Sequence, residues 1–175
     1  HPETGRFFVA SKSAFNKNPK INYTLEDIER NHGHAPGLVS KLRAALQHLP
    51  KVTPKKGVFQ GDIMHTAEDV HESDGRVHFT PNTITYSAPK NSAHGKAALN
   101  SKIGVAIHTK YNGKNLEDMQ AEHGAQLNDF GLHKDVHLIS TEHHLDNIKF
   151  TPQNRERFAK AMTAAAAHNK KAKPE

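Results

Sequence analysis

Apolar residues recur along the chain at two periods. Phe7 and Val9 alternate with Phe8 and Ala10, which predicts a strand over 6–11. From about Leu38 to Leu49, the residues Leu38, Val39, Leu42, Ala45, Leu46 and Leu49 fall on one face at helical spacing. Lys41, Arg43 and Gln47 fall elsewhere, and Pro50 and Pro54 close the run. Thr24 with Asp27 has capping-box form and predicts a short helix through Arg30. Further strands are expected at about 57–65, 76–80, 83–88, 102–111 and 135–140, with an Asp-Gly turn in "ESDGR". "KNSAHGKAALN" reads as a short helix or loop, and Asn115 to His123 as a helix capped by Gly124. Thr151-Pro152 reads as the cap and first position of a final helix reaching about Ala167.

The pattern is that of an α+β fold, a mainly antiparallel sheet with inserted helices. Residues 1–150 are expected to form a single domain, and 151–175 a C-terminal helix with a basic tail. Strands 6–11, 57–65, 83–88 and 102–109 are expected as neighbours in one core that holds Phe7, Ile63 and Val105. The opening "HPETGRFFVASKS" reads as the middle of a β-hairpin, so the chain is expected to be a fragment whose first strand is missing.

One stretch breaks the alternation. In "KKGVFQGDIMHT", residues 55–66, an apolar strand is interrupted by Gln60-Gly61-Asp62. Asp is poorly suited to strands, and Gly weakens their interior. A bulge or turn between two short strands would explain it. So would a ligand approaching the backbone while the carboxylate points at it. Period-2 alternation puts Gln60, Asp62 and Met64 on one face and leaves Phe59 and Ile63 to the core.

Composition narrows the classes. The 175 residues are 35% apolar and 24% charged, with no Cys, which removes disulfides, thiolate chemistry and Cys-based zinc sites. No run is long enough to span a bilayer, and no signal-peptide pattern opens the chain. The net charge of +6 suits polyanionic partners as well as ordinary solubility. Fifteen His residues are scattered without an HExxH motif or a zinc-type spacing, which argues for surface histidines; His32 with His34, and His143 with His144, are the least improbable ligand pairs. There is no Walker loop, Rossmann fingerprint, Gly-x-Ser-x-Gly or evident triad.

Four segments carry candidate chemistry. Asp62 can hold Mg²⁺ or accept a ribose hydroxyl, or it can be a turn residue. "VASKS" sets Ser11, Lys12 and Ser13 at a strand end, with Lys17 and Lys20 beyond, a basic loop able to contact phosphate or simply to be solvated. Tyr86 in "TITYSAP" can stack a base or pack in a core. In "HTKY", alternation places His108 and Lys110 on one strand face.

The order of "GRFFVASKSAFNKNPKINYTLEDIERNHG", "LVSKLRAALQHLPKV", "KGVFQGDIMHT", "FTPNTITYSAP" and "KIGVAIHTKYNGKNLEDM" resembles an uncharacterised family of tailed-phage proteins, over Gly5 to about Met119. That family in turn looks like the covalent nucleotidyltransferases, the ATP-dependent ligases and capping enzymes. The resemblance implies a ligase-like domain that uses ATP and Mg²⁺ and acts on nucleic acid, in the host cytoplasm or the virion. It implies that Asp62 stands for the Glu of the ligase Gly-Glu-Leu strand, as a catalytic carboxylate and metal ligand. Ser11, Lys12, Tyr86 and Lys110 would contact the nucleotide, and Lys17 and Lys20 the nucleic acid. No Lys-x-Asp-Gly occurs in these residues, so the covalent step has no carrier among them. A binding module without chemistry, or a structural or host-interaction protein, is the alternative.

Overall fold

The computed structural model describes residues 1–124, 127–139, 153, 156–157 and 159–164, which belong to two units, 1–141 and 142–175. The first unit runs through α1 (Leu25–His32), α2 (Pro36–His48), β1 (Val58–Thr66), β2 (His71–Ser73), β3 (Arg76–Phe79), β4 (Tyr86–Pro89), α3 (Ala93–Asn100), β5 (Ile103–Asn112), β6 (Gln120–His123) and β7 (Val136–Ile139). β5 is central to the larger sheet. It pairs antiparallel with β1 on one side; on the other it pairs antiparallel with β6 near its end and parallel with β7 near its start. β2, β3 and β4 form a separate antiparallel sheet. The protein is therefore α+β with mainly antiparallel sheets and a few helices. In the second unit, residues 159–164 are helical and Lys160 pairs with Glu156 one turn earlier. Thr151 and Pro152 lie outside the described residues.

The larger sheet has apolar residues on both faces. Phe59, Ile63, Ile103, Val105 and Ile107 pack with Ile28 of α1 and with Val39, Leu42 and Ala45 of α2. Ile28 and Ile103 are fully buried, each worth about 1.5–3 kcal/mol relative to exposure. On the opposite face, Met64 and Ala106 pack with Val77 and Phe79 of β3 and Ala98 of α3. Phe7, Ile63 and Val105 do share one core, as expected.

Local signals act as the sequence suggests where their partners are close. Thr24 and Asp27 form a complete capping box at α1. The Asp74-Gly75 pair takes positive φ at both positions and joins β2 to β3 through a two-residue turn.

Three expected elements differ. Residues 6–11 do not form a strand: Val9 exchanges both backbone bonds with Asn22, and Ser11 then caps a 3-10 turn, Lys12–Phe15. With Asn22 as its only bridge partner among the described residues, the alternating segment does not extend into a ladder. The strand expected at 83–88 is shortened to β4 and pairs with β3, so it joins the second sheet and leaves Ile84 exposed. Asn115 to His123 is not a helix. The Asn115 side chain accepts from the Asp118 N–H, a local turn that competes with helix, and β6 then pairs with β5. The N–H of Gly124, at φ +77°, donates to the His108 carbonyl and ends that strand.

Candidate functional site

β1 is continuous through Gln60-Gly61-Asp62, and its alternation holds. Phe59 and Ile63 turn to the first core, while Asp62 stands opposite Ala106 on the face that carries Met64. Gly61 is required by packing. A Cβ there would lie 2.3 Å from the Ala106 carbonyl oxygen. Asp62 projects where the second core has ended, with its side chain 71% exposed.

At Gln60/Gly61 the irregularity lies on the partner strand, while a second one, between Ile63 and His65, lies on β1 itself. Register passes from Gln60↔Thr109 to Gly61↔Ile107, leaving His108 as an unpaired bulge. The extra residue re-aims everything after it. Thr109 and Tyr111 fall opposite Gln60 and Val58, on the Asp62 face, whereas Lys110 falls opposite Phe59. The alternation that put His108 and Lys110 on one face is thus corrected by the bulge. Lys110 Nζ lies 5.9 Å from the Phe59 ring centroid and 3.8 Å from the Asp129 carboxylate, so it is not brought to Asp62.

What gathers around Asp62 is a polar end of the sheet. His108 Nε2 lies 3.9 Å from Asp62 Oδ2, and its Nδ1 contacts Thr109 Oγ1 at 2.7 Å. Thr109 Oγ1 also reaches His123 Nδ1 of β6 at 3.4 Å. The Tyr111 hydroxyl donates to Gln60 Oε1 at 2.6 Å. The Tyr111 ring meets Phe15, the last residue of the Lys12–Phe15 turn, at 4.6 Å between centroids. Through Phe15 the Ser11–Lys12 segment is tied to the strand pair that carries Asp62. Alternation could have suggested neither Tyr111 nor Phe15, because the first depends on the bulge and the second on a 3-10 turn inside the segment expected as a basic loop.

The other expected site residues lie as follows. Ser11 Oγ accepts from the Ser13 N–H as the cap of the turn, and Lys12 is exposed on it. Lys17 lines a cavity of about 320 Å³ beside Phe15, and Lys20 Nζ donates to the Asn31 carbonyl. Tyr86 belongs to the second sheet and stacks on Phe79 at 5.7 Å with rings 12° apart. Among the described residues, no hydrogen bond or ion pair joins Asp62 to Lys12 or Tyr86.

The histidines divide by environment. His32 is buried, its Nε2 3.2 Å from the Asn22 amide nitrogen, while His34 is exposed. His65, His137 and His94 form a file running from the second core to the surface, with nitrogen contacts of 3.1 and 3.2 Å. Each contact needs one N–H and one bare nitrogen, so three neutral rings satisfy both. Among the described residues, no group of three or more His, Asp or Glu side chains is arranged to hold a metal ion. His143 and His144 lie outside those residues. No helix among the described residues is long and apolar enough to cross a membrane.

Residues 1–174 match a family described as a family of unknown function (DUF6267), and the chain belongs to it. No curated protein and no solved structure matches.

Proposed function

We propose that this DUF6267 protein binds a nucleotide at the polar end of the β1–β5 pair and serves ATP-dependent adenylyl transfer to nucleic acid, in the manner of ligase-like nucleotidyltransferases. The observation that supports it is the position of Asp62. A carboxylate stands on a strand whose other face is core, and where the second core ends on its own face its side chain is open to solvent beside His108. A ribose hydroxyl can donate to that carboxylate, with His108 and Thr109 as neighbouring polar groups. Mg²⁺ keeps several waters and takes one or two carboxylates plus substrate phosphates, and a single exposed Asp fits that demand. Asp62 would hold the ion, which would neutralise phosphate charge when bound. Lys12, exposed on its turn, is the cation offered to phosphate.

The 175 residues contain no Lys-x-Asp-Gly, so nucleotide binding rather than covalent AMP labelling is the direct readout. The same fact favours, as a second reading, a module that binds nucleotide without chemistry. ATP titrated calorimetrically with Mg²⁺ should bind, and Asp62→Asn should weaken it about tenfold, roughly 1.4 kcal/mol, with circular dichroism unchanged. Equal affinity of parent and variant would refute the assignment of Asp62. Labelling of the parent chain by radioactive AMP would exclude the binding-only reading.

A further inference from the structure

We propose that Lys12–Lys20 is a stacking platform for single-stranded nucleic acid, with Phe15 as the base-stacking ring and Lys12 and Lys17 on the phosphates. This deepens the nucleotide reading by naming the surface that would receive the polynucleotide. It rests on residues other than Asp62.

Phe15 is a large apolar side chain left 42% exposed. Its ring is backed by Tyr111, whose hydroxyl is held by Gln60. One side of Phe15 is thus propped against the sheet, and the ring is offered to solvent without the entropy of a free side chain. The cavity of about 320 Å³ beside it is lined by Ala14, Phe15, Lys17, Pro19, Leu116 and Glu117, among others. A lining that mixes apolar side chains, the Phe15 ring among them, with Asn16 and Lys17 suits a base and its phosphate.

Charge selects the partner. "KSAFNKNPK" carries three lysines and no carboxylate, and Glu117 shares the cavity lining with Lys17 alone of the three. The Lys20 contact with Asn31 fixes the far end of the loop. Basic side chains interleaved with a propped aromatic ring are what single strands need. Every base has a π-face to stack, and the backbone needs cations along its track. A duplex hides its base faces and can use only the lysines.

The protein has no Trp, so Phe15→Trp installs a single fluorophore at the platform. With the full chain, an unlabelled oligothymidylate should quench that Trp, and a duplex of equal length should quench it much less. Measured by anisotropy of a labelled oligonucleotide, Phe15→Ala should lose about tenfold or more in affinity while Phe15→Trp retains it. Lys17→Gln should reduce the salt slope by about one. Asp62→Asn made in the Phe15→Trp background should leave the quenching unchanged, so failure of the platform and failure of the nucleotide site are read separately. Undiminished single-strand affinity in Phe15→Ala, or equal quenching by duplex, would overturn the proposal. So would a parent chain that binds no oligonucleotide at low salt.

Discussion

His65 and His137 meet inside the protein, Nε2 of one 3.1 Å from Nδ1 of the other, with only 1% and 5% of their surfaces exposed. Strand register brings them together. Gly104 of β5 pairs with His65 on β1 and with His137 on β7, so the two imidazoles flank a residue with no side chain. His94 of α3 continues the file to the exterior.

This pair makes stability depend on pH. Burial pushes both rings down to about 4, with Asp69 partly opposing the effect at His65, and His65 and His94 reinforcing it at His137. Each ring therefore stays neutral in the folded state, while the unfolded chain takes a proton near pH 6.5. Their contribution is complete above pH ~6.5 and is lost as pH falls toward about 4, on the order of 3 kcal/mol per ring. His32 and His48, also lowered by burial, act in the same direction. Urea midpoints measured from pH 7.5 to 4.5 should fall, and His137→Gln should remove about 1.4 kcal/mol per pH unit of the slope. An unchanged slope in that variant would count against the assignment.

Two glycines in the sheet should respond differently to one added methyl. A Cβ on Gly104 would lie 2.1 Å from His65 Nε2, a side-chain obstacle. A Cβ on Gly61 would lie 2.3 Å from the Ala106 carbonyl oxygen, a backbone obstacle. Each Ala variant should lose about 1–3 kcal/mol or more through overpacking. Adding His65→Ala should recover part of the Gly104→Ala loss and none of the Gly61→Ala loss. Thermal melts of the single and double variants decide it, and equal recovery in both would contradict the geometry.

The features legible in the sequence are those whose cause is local. The Thr24–Asp27 capping box, the Asp74-Gly75 turn and the face of β1 that carries Asp62 all depend on residues a few positions apart. The bulge at His108 does not, because it exists only relative to β1, and it alone decides that Tyr111 and not Lys110 shares the Asp62 face. Residues 6–11 alternate like a strand but, among the described residues, have only Asn22 as a bridge partner. The file of His65, His137 and His94 joins residues 72 and 43 positions apart, a proximity that no short pattern encodes. The turn at Asn115 had a readable signal, since Asn and Asp side chains favour local backbone bonds over helix.

Tyr111 connects the two proposed surfaces, and its two chemical parts can be separated. The hydroxyl donates to Gln60, which precedes Asp62 by two positions on the same strand face. The ring supports Phe15. Tyr111→Phe removes only the first contact, costs about 1 kcal/mol of stability, and frees the Gln60 amide beside the carboxylate. ATP affinity should therefore fall while oligonucleotide affinity stays within twofold of the parent, a difference of about 0.4 kcal/mol. Tyr111→Ala removes the ring as well, so Phe15 loses its backing and both affinities should fall. Calorimetry for ATP and anisotropy for the oligonucleotide, run on the same two variants, separate the cases. If Tyr111→Phe weakened the oligonucleotide as much as Tyr111→Ala, the hydroxyl rather than the ring would be holding Phe15 in place, and the division of labour at Tyr111 would be wrong.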